Sequence, residues 1–522
     1  MRTIIKSLSI SVLLIVVFSW GYKAGSQDSA GKPIYRKPIP SFLITLDPKH
    51  YHDAYSVLIA AQIYDRLFDI DELLNLKPKL ASAWKSLENG KKWVINLRPD
   101  VSFHNGKPFN AYDVLFSLKR LIEKDSIKRY EFSIVEGADE YRDGKSKNVS
   151  GIKIIDNNTI EITLATPSPL FLSTLAAPNT EIIEADYAGK SEEDYFVSPS
   201  GTGPFMLRSI IKGVQVELES NPRYFQGRPK LNTIIFEYAD TQKALKGFNT
   251  GYYHDLEFYY PDTSRLNKSF TLIRTPQAET NLIVFNAQRP PLNNVHVRKA
   301  VALALNKEKL FNMCFASQTY AKGFIPPGLG GYSPDTTELK YNLSLAANEL
   351  KNAKINKINL ARELIFLRPN NHPCADQFSA FITESMKAIG LNVKVVHVPL
   401  DEVISRRDKK DFDLYSATFT ADYPEALFML NMLRSNSSFN PGVMPEFDNL
   451  LTQASLSQDK FERYKLYRQA QDILIQNAYI IPLYHEILLS VFQTNVRGLT
   501  RHPLTSYLSP MNSTYFAEDT EK

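Results

Sequence analysis

Apolar and polar positions along the chain follow two different periods. In "GIKIIDNNTIEITL", residues 151–164, two short runs rich in β-branched residues flank Asp156-Asn157-Asn158, which predicts a β-hairpin. In "NAYDVLFSLKRLI", apolar residues recur at helical spacing after Asn110, a good N-cap, and Asp113 follows at the N3 position. Strand-like and helical segments interleave, so the pattern predicts an α/β protein.

Later segments repeat this mixture. A strand is predicted in "FDLYSATF", residues 412–419, and helices are predicted in "VHVRKAVALALNKEKLF", residues 295–311, and "FERYKLYRQAQDILIQ", residues 461–476. The second helix runs into the apolar stretch "AYIIPLYHEILLSVF". A chain of 522 residues is longer than one hydrophobic core normally serves, so two or three domains are expected.

The first 26 residues have the layout of a Sec-type secretory signal. Arg2 and Lys6 precede an apolar run and then small residues, with cleavage expected after Gly21 or Ser26. The apolar run is short for a membrane span, although an uncleaved membrane anchor is the alternative. No cysteine ends the signal, so a periplasmic protein that is not a lipoprotein is expected.

Charge and cysteine usage add two constraints. The net charge of +5 falls to about +2 when Arg2, Lys6 and Lys23 leave with the signal, which argues against nucleic acid as a partner. The only cysteines are Cys314 and Cys374. In an exported protein they form either one disulfide or two buried thiols, and both alternatives stay open.

No catalytic signature is found. The sequence contains no G-x-S-x-G, H-E-x-x-H, Walker, dinucleotide-binding or C-x-x-C pattern, so neither an enzyme nor a cofactor is predicted. His50 and His52 could form half of a metal site, but two ligands are too few, and no metal is predicted. An exported protein without these motifs is expected to bind a solute, and an exported hydrolase is the less favoured alternative.

Six stretches carry a family resemblance. Their order and spacing resemble those of the dipeptide- and oligopeptide-binding proteins of ABC importers, bacterial extracellular solute-binding family 5. The stretches are "WVINLRPDVSFHNGKPFNAYDVLFSLKRL", "SPSGTGPFML", "NPRYFQGRPKLNTIIFEY", "NLIVFNAQRPPLNNVHVRKAVALALNKEKL", "TADYPEALFMLNML" and "AYIIPLYHE".

The resemblance implies a fold and partners. The expected fold is an α/β, two-lobed periplasmic-binding-protein clamp, type II-like and of the large cluster, with an extra inserted domain. The expected protein is monomeric and captures an oligopeptide or dipeptide ligand for an inner-membrane ABC permease. The implied segments are a signal peptide (1–26), lobe I (27–70), inserted domain II (71–184), lobe I again (185–282), lobe III (283–489) and a C-terminal segment of lobe I (490–522).

The same resemblance implies a ligand site. Ala421, Asp422 and Tyr423 match a motif whose acid pairs with the α-ammonium of a bound peptide, which fixes the direction of an extended ligand. Phe419 and Tyr423 are expected to line the site, with ordinary core packing as the open alternative. Arg407 matches a basic residue that can meet the ligand carboxylate, with a solvated surface charge as the open alternative.

One position departs from the family pattern. Ser416 stands where binders of longer peptides carry an arginine, so the carboxylate end of the site stays open. Ligand length and identity stay open with it. The alternative ligands on the same scaffold are a cell-wall peptide, a nickel chelate or haem.

Overall fold

The structure is a computed structural model that describes residues 34–257, 263–266, 269–355, 361–370, 374–502 and 504–517. The predicted signal peptide, residues 1–26, lies outside these described residues. Within them, no helix combines the length and the apolar character that crossing a membrane requires.

The chain alternates strands and helices, as the periodicity predicts. The strands are β1 (Ile34–Ile39), β2 (Phe68–Ile70), β3 (Leu76–Pro78), β4 (Ala81–Leu87), β5 (Lys92–Leu97), β6 (Ile152–Asp156), β7 (Thr159–Thr163), β8 (Phe205–Ile211), β9 (Gln215–Ser220), β10 (Thr233–Tyr238), β11 (Phe270–Phe285), β12 (Thr319–Tyr320), β13 (Glu363–Pro369), β14 (Asn392–Val398), β15 (Leu414–Thr420), β16 (Ile480–Gln493), β17 (Val496–Arg497) and β18 (Tyr515–Phe516). The α-helices are α1 (Ala54–Ile63), α2 (Ala111–Ile122), α3 (Ala138–Arg142), α4 (Phe171–Thr174), α5 (Glu192–Val197), α6 (Thr241–Thr250), α7 (Val295–Ala304), α8 (Lys307–Cys314), α9 (Leu343–Asn352), α10 (Ala375–Lys387), α11 (Leu400–Asp408), α12 (Leu427–Asn431), α13 (Pro445–Leu456) and α14 (Lys460–Gln476).

Two local predictions are confirmed. The Asn110 side chain accepts a hydrogen bond from the backbone N–H of Tyr112 at 2.8 Å, and Asp113 accepts one from the N–H of Asn110 at 2.8 Å. This capping box fixes the start of α2. The β6–β7 hairpin forms at the predicted turn.

The single helix predicted over residues 295–311 is wrong. The chain forms α7 and α8 there, with Leu305 in an extended conformation between them. Asn306 caps α8, since its side chain accepts a hydrogen bond from the N–H of Lys309 at 3.0 Å. Apolar periodicity continues across this break, so the pattern alone does not show it.

Three main sheets organise the molecule. Sheet A has the strand order β1-β10-β9-β8, sheet B the order β4-β5-β7-β6, and sheet C the order β12-β16-β11-β15-β13-β14. Sheet B is antiparallel throughout, whereas β1 pairs with β10, and β13 with β14 and β15, in parallel.

The paired strands β11 and β16 connect two hydrophobic cores. Ile283 and Ile481 belong to a core on one face of sheet C, while Phe492, at the far end of β16, packs in the core of sheet A. The predicted boundaries after residues 282 and 489 fall inside these strands. The domain boundaries themselves stay predictions.

The largest buried cluster is continuous across sheet B and the other face of sheet C. It joins Ile95 and Ile160 of sheet B to Leu282 and Tyr415 of sheet C. Gln458 also donates a hydrogen bond to the backbone oxygen of Asn89 at 2.8 Å. Sheets B and C are therefore packed together in this structure.

Cys314 and Cys374 form a disulfide, which decides between the two alternatives. The bond joins the last residue of α8 to the residue before α10, with 5.6 Å between the Cα atoms. It ties two helices that pack beside sheet C.

Candidate functional site

Asp422 lies two residues beyond the end of β15. The backbone N–H of Ala421 donates to the oxygen of Ala278 at 2.9 Å, which extends the pairing with β11 and holds the chain where it bends. The Asp422 side chain keeps 25% of its surface exposed. Solvent can therefore reach this carboxylate just beyond the C-terminal end of β15.

Lys128 explains how this acid is accommodated. Its ammonium lies 2.9 Å from Asp422 Oδ2 and 3.1 Å from each carboxylate oxygen of Glu131. The Lys128 side chain is only 5% exposed. Loss of hydration lowers the pKa of Lys128, but the two carboxylates outweigh this and raise it well above its usual value.

The backbone around Lys128 is fixed from both sides. Its N–H donates to the hydroxyl of Ser126 at 3.1 Å, and the N–H of Phe132 donates to its carbonyl at 3.1 Å. Phe132 is fully buried in the core of sheet B, and Ile127 donates to the carbonyl of Lys49 at 3.3 Å. Lys128 is thus presented to Asp422 by a segment that hydrogen bonds and core packing hold in place.

The two aromatic residues predicted to line the site are buried. Phe419 is 1% exposed, with its ring centre 5.5 Å from those of Phe324 and Phe439. Tyr423 is 7% exposed and packs edge-to-face on Phe428 at 5.3 Å. Burial raises the pKa of Tyr423. Both rings brace the segment that carries Asp422, and their role in ligand contact stays a prediction.

Arg407 lies in α11, away from the acid. Its guanidinium contacts Asp408 at 2.8 Å and stacks over the Phe439 ring at 3.9 Å. The structure therefore gives Arg407 a neighbouring counter-ion and an aromatic platform. Its role with a ligand carboxylate stays a prediction.

A second arginine lies beside Ser416. Arg368 of β13 is 1% exposed, and its guanidinium carbon lies 3.7 Å from the centre of the Phe378 ring. Ser416, Thr418 and Tyr484 line, with Arg368, a cavity of about 30 Å³. Burial lowers the pKa of Arg368 to about 10, so the side chain is still a cation at neutral pH.

Sequence patterns do not single out Lys128, Glu131 or Arg368. Lys128 and Glu131 lie in an irregular charged segment, where the i,i+3 spacing of a lysine and a glutamate is common and usually solvated. The one available signal for Arg368 was a charge inside the apolar run "ELIFLRP" of a strand. Burying a charge is costly unless the charge is paired or hydrogen-bonded.

His50 contacts two carboxylates in the structure. Both ring nitrogens of His50 lie 3.0 Å from carboxylates, those of Asp47 and Asp125. Across the described part of the chain, no three His, Cys, Asp or Glu side chains converge as metal ligands would.

Comparison with known proteins places these features in a family. Residues 75–441 match the family model described as "Bacterial extracellular solute-binding proteins, family 5 Middle". The chain is 28% identical over 489 residues to the peptide transport periplasmic protein SapA of Salmonella typhimurium, covering 88% of this chain and 86% of SapA. It is 26% identical over 480 residues to the dipeptide-binding protein of Escherichia coli, covering 87% and 88% of the two chains.

A solved structure shows the same fold. DppA, a periplasmic binding protein from Helicobacter pylori in complex with the peptide STSA, superposes with a TM-score of 0.77 at 22% identity. The match covers 93% of this chain and 98% of DppA. The expected two-lobed α/β fold is confirmed.

Proposed function

Because this chain belongs to family 5 of the bacterial extracellular solute-binding proteins, we propose that it captures peptides in the periplasm and delivers them to an ABC permease of the inner membrane. The proposal includes that it acts as a monomer. The family that it matches is one of binding proteins and not of enzymes. The peptide transport and dipeptide-binding names of SapA and its E. coli relative support the solute class.

The carrying observation is the carboxylate of Asp422. Lys128 occupies Oδ2, whereas Oδ1 accepts no hydrogen bond from the described residues. A ligand ammonium can bind Oδ1 while Lys128 keeps Asp422 oriented. A charge-assisted hydrogen bond of this kind fixes the amino end of an extended peptide without reading its side chains.

Arg368 is proposed to receive the opposite end of the ligand. It lines a cavity of about 30 Å³ together with Ser416, the position at which binders of longer peptides carry an arginine. Thr420 and Ser416 are four positions apart on β15, about 13 Å in a strand. With the two further residues to Asp422, an extended peptide of roughly four to six residues spans the two charges.

Native mass spectrometry of the protein purified from its own periplasm tests this proposal. Peptide masses are expected to dissociate from the protein on activation, since a closed clamp retains its ligand. The Asp422→Ala variant, purified in the same way, is expected to carry less peptide. A nickel chelate or haem adduct in place of peptide would contradict the proposal.

A further inference from the structure

The ammonium end of the proposed site contains three charges and not one. We propose that Lys128 and Glu131 set the charge of this end: with Asp422 they form a cluster of net charge −1, which a single ligand ammonium completes. This inference rests on the proposed function, because it needs a ligand ammonium at Asp422.

The contacts show why Glu131 matters. An ammonium group has three N–H donors, and the two Glu131 oxygens and Asp422 Oδ2 lie within 3.1 Å of Lys128 Nζ. Lys128 and Asp422 alone would be a neutral pair with little attraction for a further cation. Glu131 adds the negative charge that remains when Lys128 is counted.

Neighbouring charges do not change this count. Glu425, three residues after Asp422, is paired with Arg463 at 2.5 and 3.0 Å. Glu181 accepts a hydrogen bond from Tyr51 and lies 4.0 Å from Arg66, a cation that also contacts Asp69 at 3.2 Å. Neither acid hydrogen-bonds to Lys128 within the described residues, so the charges in direct contact at this end are those of Lys128, Glu131 and Asp422, with a sum of −1.

The geometry also says where the ligand cation binds. Lys128 is buried behind the two acids, whereas Asp422 is 25% and Glu131 34% exposed. The accessible side of the cluster is therefore carboxylate. A ligand ammonium approaching Asp422 Oδ1 meets the negative side and is kept from Lys128 by the acids.

Two variants that each neutralise charged side chains of the cluster test this proposal. The probe is the peptide Ser-Thr-Ser-Ala with a free or an acetylated amino terminus, and calorimetry measures its Kd. Glu131→Gln makes the cluster neutral, so binding of the free-amine peptide is expected to weaken about tenfold while the acetylated peptide is unaffected. Adding Lys128→Met restores a net charge of −1, and most of the lost affinity is expected to return.

Glu123→Gln is the matched control. Glu123 also pairs with a lysine that is 5% exposed, Lys49 at 2.9 Å, and is itself 35% exposed. Because it does not contact Asp422, its substitution should leave both Kd values unchanged. Equal weakening of both peptides by Glu131→Gln, or a double variant no better than the single one, would overturn the inference. Absence of binding by the native protein to either peptide, together with no peptide mass in native mass spectrometry, would instead remove the proposed function and, with it, this inference.

Discussion

Lys128 and Asp422 are 294 positions apart in the sequence, and their charged groups lie 2.9 Å apart in the fold. The pair joins a segment anchored in the core of sheet B to the end of a strand of sheet C. A contact across these two regions exists only while they are packed together. The acid expected from the sequence to meet a ligand thus also meets a cation of its own chain.

Asp422→Ala is expected to weaken peptide binding by 30-fold or more. Removing one partner of a desolvated charge pair costs about 2–5 kcal/mol, and about 1.4 kcal/mol corresponds to a factor of ten. Calorimetry on native and variant protein with a free-amine peptide measures the loss.

N-acetylation of the peptide is the control for this change. It removes the same interaction from the ligand side, so the two changes together should cost little more than either one. Full affinity of Asp422→Ala for the free-amine peptide would show that the acid serves only to pair Lys128.

Arg368→Met tests the proposal that Arg368 binds the C-terminal carboxylate of the ligand. Native protein should prefer a peptide with a free C-terminal carboxylate to its C-terminal amide by about tenfold or more, and the variant should lose that preference. Arg407→Met is the comparison, because Arg407 is the cation that the family resemblance indicated. Loss of the preference in Arg407→Met alone would assign the carboxylate to Arg407 instead.

Ligand should shift the protein toward the packed arrangement of sheets B and C. Binding to one conformation changes the equilibrium only by its differential affinity. Small-angle X-ray scattering should therefore show a smaller radius of gyration with saturating peptide than without it. An unchanged radius would mean either that the free protein is already closed or that binding does not involve closure. A larger radius for the Lys128→Met variant without peptide than for the native protein would indicate that the free native protein is closed, and an equal radius would indicate binding without closure.

Removal of the disulfide should destabilise the protein. Cys314 and Cys374 are 60 positions apart, and closing a loop of this size in the unfolded chain typically contributes about 2–4 kcal/mol. The double variant Cys314→Ser/Cys374→Ser should therefore unfold at lower denaturant concentration. Reductant should shift native protein by the same amount and leave the variant unchanged.

Stability should also fall as the pH is lowered from 7.5 to 5. His485 is 4% exposed in β16, and burial, with Lys307 nearby, lowers its pKa to about 4. In the unfolded chain this histidine takes up a proton below a pKa of about 6.5, whereas in the folded protein it does so only near pH 4. Unfolding therefore becomes easier as the pH falls toward 4.

Protonation of His485 is expected to lower the free energy of unfolding by about 2 kcal/mol between pH 7.5 and pH 5. Denaturant titrations of His485→Gln at both pH values should show a smaller pH dependence than native protein. His52→Gln, at an exposed histidine, should behave as native does. An unchanged pH dependence in His485→Gln would show that His485 does not contribute to this loss of stability.

Local elements could be predicted from the sequence where residues close together in the chain determine them. The capping box at Asn110 and the hairpin at Asp156-Asn157-Asn158 depend on side chains within a few positions, so their spacing predicts them. The break before Asn306 was missed, because apolar residues continue across it. The family was also evident from the sequence, whereas the ligand role of Asp422 stays a prediction.

The charge of the site was decided by tertiary structure. Coulomb energy depends on the distance between charges in space. No sequence pattern indicates that Lys128 lies beside Asp422, or that Arg368 lies beside Ser416. Pairing of Cys314 with Cys374 is of the same kind, because only the packing of α8 against α10 brings the two sulfurs together. The sequence by itself determined the strands, the helices and one acid, while the packing of sheet B on sheet C determined which charges surround that acid.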